Sequence, residues 1–228
     1  MNILNKNYII AIDGGAGTGK STVSNELAKR LNIIHIDTGA LYRAATVFFL
    51  EKGIEPTEEN IDRNLNNIDI TLKLINNEMR VILNNEDITG KIRTELVSNT
   101  VPRVAKYQPL RDKVVLIQRS IAKEQSVVID GRDIGTVVFP NADLKIYLTA
   151  SLEKRAERRT EDLKSSNEIV DINVAKADLE KRDIQDSTRK NSPLKKAEDA
   201  FEIDTTNNTV EQTADIIMGL LKTKVGIE

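Results

Sequence analysis

The sequence contains no cysteine, and His35 is the single histidine among its 228 residues. The lack of cysteine excludes disulfides and thiolate metal sites, and one histidine disfavours a metal site built from imidazoles. No apolar run approaches the roughly 18 residues that span a bilayer, and the N-terminus lacks the basic and then apolar pattern of a secretory signal. We therefore expect a cytoplasmic protein that does not bind membranes.

The sequence also lacks an excess of either charge, since 33 Lys and Arg residues balance 35 Asp and Glu residues for a net charge of −2. Such a balance gives no overall attraction to nucleic acid or to an anionic membrane, so any basic site must be local. The length and the 39% of hydrophobic residues suit one α/β domain with insertions. We expect a monomer without a nucleic-acid partner.

A glycine-rich loop follows the short apolar run Ile9–Ile12. The segment from Gly14 to Ser21 fits G-x-x-x-x-G-K-[ST], in which glycines let consecutive N–H groups turn inward around a polyphosphate. A helix predicted over Ser21–Leu31 directs its positive N-terminal end to the same place. Lys20, which we expect on a surface loop, can reach the β- and γ-phosphates, and the Ser21 hydroxyl can bind Mg²⁺. The predicted phosphate-binding residues are Gly14, Gly15, Ala16, Gly17, Thr18, Gly19, Lys20, Ser21 and Thr22.

Two other interpretations of this loop are open. One is an ordinary glycine-rich turn between a strand and a helix, although the apolar strand, lysine and serine all stand where phosphate binding needs them. The other is a dinucleotide-binding fold, in which Asp37 would bind a ribose. Lys20 or Thr22 would then replace the last glycine of that pattern, and a lysine there would prevent close packing of the helix.

Further apolar runs predict about five parallel strands in all. They are Ile33–Ile36, Ser126–Asp130, Leu144–Leu148 and Ala200–Asp204. Polar residues follow two of these strands, so we expect Asp37, Thr38 and Arg43 beside the phosphate loop and Asp130 as a partner of Mg²⁺ or its waters. His35 lies within a strand and is interpreted as a packed residue rather than a catalytic base.

The region from Gly53 to about Gly90 alternates with period two, which indicates a hairpin of Ile68–Ile75 and Met79–Leu83 around Asn76-Asn77. Glu86–Thr89 is a candidate third strand of this small inserted sheet. Two helices are predicted between residues 93 and 124, with a break at 107–109, and Pro102 is expected to end or kink the first.

Two groups of charged residues occupy the C-terminal half. Arg155, Arg158 and Arg159 share one helix face, where three crowded guanidiniums repel one another unless an anion binds, and a merely solvated face is the alternative. Arg182, Asp186 and Arg189 are spaced i, i+4 and i+7 on a second helix, where they either bind a ligand or only bridge one another. A last helix is predicted from Thr209, its N-cap, to Lys222.

With these pieces in place, the chain resembles bacterial cytidylate kinases over almost its whole length. The strings that carry the resemblance are the phosphate loop, Asp37-Thr-Gly-Ala-Leu-Tyr-Arg43, Asp130-Gly-Arg-Asp-Ile-Gly-Thr-Val-Val-Phe-Pro140, Arg155-Ala-Glu-Arg-Arg159, the Arg182/Asp186/Arg189 triplet, Ser192-Pro-Leu194 and Ile203-Asp-Thr205. The phosphate loop alone would indicate only a superfamily, whereas the second and third strings are much more specific.

The resemblance implies a P-loop α/β fold and transfer of the γ-phosphoryl group of ATP, with Mg²⁺, to the nucleotide CMP or dCMP. It implies that Arg43, Arg132 and Arg189 clamp the acceptor phosphate together with Thr38, that Arg182 and Asp186 contact the sugar, and that Arg111 and Asp133 contact the cytosine. Lys20, Arg132, Arg158 and Arg189 are the implied catalytic residues, and Ser21 and Asp130 the implied Mg²⁺ ligands. A serine that commonly contacts cytosine aligns with Pro102 here, with Ser98 and Thr100 as candidate substitutes.

The resemblance also implies a body of three parts. The core comprises residues 1–38, 126–150 and 190–228, the monophosphate-binding region residues 39–125 with a β insert at 54–92, and the lid residues 151–189. A related kinase acting on UMP, AMP or a sugar is the nearest alternative function. A nucleotide-dependent switch is a more distant alternative function. Such a switch would be expected to contain a guanine-selecting Asn-Lys-x-Asp string, which does not occur in this sequence.

Overall fold

The computed structural model of the protein describes residues 7–75, 78–165 and 170–226. The chain divides into two compact units, one of residues 1–36 with 122–228 and the other of residues 37–121. The predicted turn at Asn76-Asn77 and part of the polar stretch between residues 164 and 173 lie outside the described residues. The three-part division into core, monophosphate-binding region and lid stays a prediction.

The first unit is built on a five-stranded sheet in the order β2-β6-β1-β7-β8. The pairs β6-β1, β1-β7 and β7-β8 are parallel, so the sequence-based expectation of about five parallel strands in an α/β fold is confirmed. The strands are β1 (Ile9–Gly14), β2 (Ile34–Asp37), β6 (Val127–Gly131), β7 (Leu144–Thr149) and β8 (Phe201–Asp204). The helices are α1 (Lys20–Leu31), α6 (Leu152–Ser165), α7 (Ile172–Thr188) and α8 (Val210–Val225).

The strands of this sheet are apolar because helices pack on it and exclude water. Ile10 and Ile12 on the central strand β1 are fully buried, and they pack in one cluster with Leu27 of α1 and Ile217 of α8. The helix α8 begins at the predicted N-cap Thr209, which forms a capping box with Gln212. The central position of β1 places the loop that follows it at the middle of the sheet's carboxyl edge.

The second unit carries a small antiparallel sheet in the order β3-β4-β5, which confirms the predicted hairpin and third strand. Its strands are β3 (Ile70–Ile75), β4 (Glu78–Leu83) and β5 (Glu86–Asp87). The helices around it are α2 (Thr38–Glu51), α3 (Glu58–Asn64), α4 (Glu95–Ala105) and α5 (Gln108–Glu124). Ile61, Ile68 and Ile88 are fully buried in the apolar cluster that joins these elements.

Pro102 was expected to end or kink its helix, and of these two outcomes the structure excludes the end. The helix continues for another three residues, to Ala105. Val97 and Val104, on either side of the proline, are buried in the core of the second unit, and this packing outweighs the backbone hydrogen bond that proline cannot donate. The break before α5 falls at the predicted position. No helix in the described part of the chain is long and apolar enough to cross a membrane.

Candidate active site

The loop between β1 and α1 has the backbone that the glycine pattern predicts. Gly17 and Gly19 have φ angles of 76° and 86°, in the left-handed region that side chains other than glycine rarely adopt. The second of these caps α1, whose first residue is Lys20. The loop therefore opens directly onto the N-terminus of a 12-residue helix, where unpaired N–H groups attract anions.

Lys20 is buried, with 6% of its surface exposed, so the expectation of a lysine on a surface loop is wrong. Its Nζ donates to the carbonyl oxygen of Gly15 at 2.6 Å, which folds the side chain back over the loop. Burial, and after it the nearby charge of Arg132, lowers the pKa of Lys20 to about 7, although the carboxylates around it act in the opposite direction. The nearby carboxylates therefore do not fully offset the cost of burying the Lys20 charge, and a bound phosphate would stabilise that charge.

Ser21 and Asp130 form the oxygen pair that the sequence suggests for Mg²⁺. The Ser21 hydroxyl donates to Oδ2 of Asp130 at 2.9 Å, and this carboxylate is 4% exposed at the end of β6. Hard divalent cations prefer such oxygen ligands, and Mg²⁺ in phosphoryl-transfer sites uses one or two protein oxygens together with phosphates and water. The described residues contain no cluster of three or more carboxylate, histidine or cysteine ligands, so the pair fits this mode and not an all-protein metal cage.

His35 contacts the same carboxylate. Its Nε2 lies 2.5 Å from Oδ1 of Asp130, and its Nδ1 lies 2.7 Å from Oδ1 of Asn25. Burial alone would raise the pKa of Asp130, but the hydrogen bond and charge of His35, with Lys20 and the Ser21 hydroxyl, hold it below its ordinary value. The interpretation of His35 as a packed residue holds, with its ring hydrogen-bonded at both nitrogens.

A second cluster of charges brings together four of the predicted acceptor-site residues. Nε of Arg132 donates to Oδ2 of Asp186 at 2.7 Å, and Arg189 lies 3.7 Å from Oδ1 of Asp186 and 3.6 Å from Oδ1 of Asp133. Arg182 lies one helical turn before Asp186 on α7, on the same face. Arg189 was expected to be helical but is not, because α7 ends at Thr188. Arg189 is an extended C-cap residue, and its Nε donates to the carbonyl oxygen of Ser192.

Two of the three arginines on α6 reach the phosphate loop. Arg155 pairs with Asp183 at 2.6 Å and donates to the carbonyl oxygen of Ala16 at 3.3 Å. Arg158 donates to the hydroxyl and carbonyl oxygens of Thr205 at 3.0 and 2.7 Å, and lies 3.4 Å from the carbonyl oxygen of Gly17. The premise that this face needs an external anion is wrong for Arg155, because Asp183 supplies one. Arg159 forms no ion pair within the described ranges.

A cavity of about 470 Å³ opens beside the same loop. Gly17, Gly19 and Thr22 form one wall, Arg158 and Asp162 of α6 another, and Asn208 belongs to the loop that precedes α8. The volume is in the range of cavities that hold small ligands. The cavity is thus continuous with the residues predicted to bind phosphates.

The remaining predicted site residues belong to the second unit. Thr38 is the first residue of α2, and its buried hydroxyl accepts from Nε2 of Gln118 at 2.9 Å. Arg43 lies 3.8 Å from Asp37, the N-cap of α2. Arg111 is 2% exposed on α5, with its guanidinium 5.3 Å from the centre of the Tyr42 ring. The expected position of Thr38 and Arg43 beside the phosphate loop stays a prediction.

Comparison with known proteins agrees with this site. A sequence profile of the family described as "Cytidylate kinase" matches residues 10–223. A cytidylate kinase of Caldicellulosiruptor saccharolyticus is 46% identical over 224 residues, which cover 98% of this chain and 99% of that protein. The corresponding enzyme of Fusobacterium nucleatum is 47% identical over 215 residues, covering 92% and 95%.

The chain belongs to the cytidylate kinase family. It is therefore a kinase, which uses ATP as phosphoryl donor and nucleotides as substrates, and the resemblance drawn from the motifs is confirmed. A solved structure of an uncharacterized protein from Eubacterium ventriosum supports the fold alone, with a TM-score of 0.54 and 14% identity over 95% of this chain and 99% of that one.

Three residues at the candidate site received no role from the sequence. Asp183 neutralises Arg155, Thr205 holds Arg158, and Asp13 bonds two amides of the segment after Asp133. Asp13 had a visible signal, since it is the one charged residue in the apolar strand β1. The other two become recognisable only when their helix or strand is placed beside its partner.

Proposed function

We propose that the protein transfers the γ-phosphoryl group of ATP to the 5′-phosphate of CMP and dCMP, giving CDP and dCDP. The observation that carries the proposal is the concentration of cations within one unit. The charge of Arg132 lowers the pKa of Lys20 in the phosphate loop. Arg132 and Arg189 both form ion pairs with the carboxylate of Asp186. Two phosphate groups that repel each other need such an arrangement to be held in line.

Each part of the site then has a task. The loop from Gly14 to Thr22 holds the ATP phosphates, the adjacent cavity takes the adenosine portion, and Arg158 with Lys20 stabilises the transferred group. On the acceptor side, Arg132 and Arg189 bind the CMP phosphate together with Thr38 and Arg43, and Arg182 with Asp186 contacts the sugar. Arg111 and Asp133 contact the cytosine. No general base is needed, because the acceptor is already a phosphate oxygen.

Mg²⁺ fits the hydroxyl and carboxylate oxygens of Ser21 and Asp130, which are the residues that would hold it, directly or through water. When bound, it supplies positive charge to the phosphates of ATP. The helix pair α6–α7 would close over the nucleotides and exclude water. A monomeric state, a cytoplasmic location and the absence of nucleic-acid or membrane partners stay predictions.

The test is ADP release in a coupled assay with CMP, dCMP, UMP and AMP as acceptors. We expect CMP and dCMP to be preferred, whereas preference for UMP or AMP would favour the related kinases, and ATP turnover that does not depend on an acceptor would favour a switch. Arg43→Ala, Arg132→Ala and Arg189→Ala should each raise the KM for CMP roughly 10- to 150-fold through loss of a charge-assisted contact, with little change in the KM for ATP.

A matched control for the arginine variants is Arg30→Ala. Arg30 lies in the same unit on α1 and forms exposed ion pairs with Glu26 and Asp215. Its removal also deletes a guanidinium but should change neither KM, because exposed pairs contribute little. A variant of Arg132 or Arg189 that weakened ATP and spared CMP would move that arginine to the donor side.

A further inference from the structure

Asp13 is a buried carboxylate at the end of β1, one residue before the phosphate loop begins. It is 3% exposed. Its Oδ1 accepts from the backbone N–H of Ile134 at 2.8 Å, and its Oδ2 accepts from the N–H of Gly135 at 2.7 Å. Both oxygens are therefore used, each by a different amide.

The two amides open a short π-helical turn, Ile134–Val138. The first N–H groups of any helical turn lack partners within it, so a buried turn of this kind needs acceptors from elsewhere. Arg132 and Asp133 immediately precede these amides in the chain. Asp13 thus ties the segment that carries two acceptor-site residues to the strand that carries the phosphate loop, across 121 positions of sequence.

Lys145 packs against the turn at Gly135, as Asp13 does. A methyl group added to Gly135 would lie 3.2 Å from Cδ of Lys145 and 3.3 Å from Oδ2 of Asp13, so backbone and carboxylate are in close contact. The ammonium group of Lys145 is fixed in turn by Asp199 at 2.8 Å and by the carbonyl oxygen of Pro140. Gly135 is consequently in close contact with two side chains, Asp13 and Lys145, that are themselves held by hydrogen bonds.

A carboxylate suits this position and an amide does not. Asparagine would offer one acceptor oxygen and would turn its NH₂ group toward the second backbone N–H, donor against donor. Burial raises the pKa of Asp13 to about 6, although the hydrogen bonds from the N–H groups of Gly135 and Ile134 act to lower it. The chain retains an acid here although burial disfavours its charged form.

We propose that Asp13 is a positioning residue for the acceptor side of the reaction, holding Arg132 and Asp133 at a fixed place relative to the phosphate loop. The inference rests on the proposed function, in which these two residues bind CMP. Asp13 touches neither nucleotide in this scheme and acts through the backbone of the turn. Its loss should therefore move the acceptor parameters and leave ATP binding largely intact.

The test compares steady-state kinetics of Asp13→Asn with the wild-type protein. We expect the KM for CMP to rise about tenfold or more, the range for loss of one or two buried hydrogen bonds, while the KM for ATP stays within about threefold. Equal changes in both KM values, or no change in either, would overturn the proposal. If Asp13→Asn does not fold, Gly135→Ala disturbs the same contact from the opposite side and should give a smaller change in the same direction.

Two reference variants separate positioning from general loosening. Ile217→Ala removes a fully buried side chain of α8 in the same unit, so it should lower stability and leave the ratio of the two KM values unchanged. A raised KM for CMP in this variant as well would overturn the proposal. Arg132→Ala tests the proposed function separately. If this variant raises the KM for ATP instead of the KM for CMP, the assignment of Arg132 to the acceptor side fails. The positional link between Asp13 and Arg132 is then retained only if Asp13→Asn also raises the KM for ATP.

Discussion

The buried acid at the base of the phosphate loop should make stability depend on pH. The perturbation is a pH change between 4 and 7, applied to the wild-type protein and to Asp13→Asn, which has no carboxyl at this position. Asp13 has a pKa of about 6 in the folded protein, raised by burial, compared with an ordinary value of 3.8 that applies to the unfolded chain. The folded state therefore binds a proton over a pH range in which the unfolded state has already released it.

The sign and size follow from this difference. Between about pH 4 and pH 6 the folded state binds more protons than the unfolded state, so the free energy of unfolding decreases as the pH rises. Each pH unit of pKa difference corresponds to about 1.4 kcal/mol, so Asp13 should lower the free energy of unfolding by about 2 to 3 kcal/mol between pH 4 and pH 7. Above both pKa values the contribution is constant.

The assay is urea unfolding of both proteins at intervals across this pH range, without nucleotide. The quantity of interest is the difference between their unfolding free energies, because the other carboxylates titrate in both proteins and largely cancel. We expect the wild-type protein to lose stability relative to Asp13→Asn as the pH rises. A difference that stays flat within about 0.5 kcal/mol, or that changes in the opposite direction, would refute the inference that burial raises the pKa of Asp13 in the folded protein.

Three further predictions concern the site itself. Lys20→Met should reduce kcat at least about 100-fold without a large loss of stability in the nucleotide-free protein, because burial disfavours the charge that is removed. Kinetics and unfolding of one sample check this, and a large loss of stability would contradict it. Hydrogen exchange in residues 152–165 and 172–188 should slow when ATP and CMP bind together, and unchanged exchange would exclude a closing lid. Asp133→Asn should narrow the preference for CMP over UMP, mainly through lost CMP activity, since a carboxylate accepts from the cytosine amino group and opposes the uracil oxygen; an unchanged ratio would place base recognition elsewhere.

Features of the fold that depend on local patterns could be predicted from the sequence. The strand, glycine loop and helix around Lys20 are contiguous, and the alternation in β3 and β4 is a property of neighbouring residues. The central strands β1, β6 and β7 of the main sheet were recognisable as short apolar runs because both of their faces are covered. The same local reasoning left an end or a kink open at Pro102, and the helix continues past it, with Val97 and Val104 of α4 buried on either side.

Features that depend on pairs far apart in sequence could not be predicted. Asp183 and Arg155 are 28 positions apart, and His35 is 95 positions from Asp130. A charge pattern on one helix shows which side chains share a face, but not which carboxylate an adjacent helix supplies. The expected need of the α6 arginines for an external anion was wrong for Arg155 for this reason. The burial of Lys20 was missed because it depends on packing around the loop.

The carboxylates around the cations give the nucleotide-free site its order. Without them, Lys20, Arg132 and Arg189 would repel one another in a partly buried space, where such repulsion is stronger than in water. Asp186 forms an ion pair with Arg132. A phosphate that binds Arg132 must replace this ion pair, so the binding free energy gains only the difference between the Arg132–phosphate and Arg132–Asp186 interactions. The replaced Asp186 is then available to accept from a sugar hydroxyl. Under the proposed function, binding of the acceptor phosphate and recognition of its sugar would be coupled through this one carboxylate, whose two oxygens pair with Arg132 and Arg189.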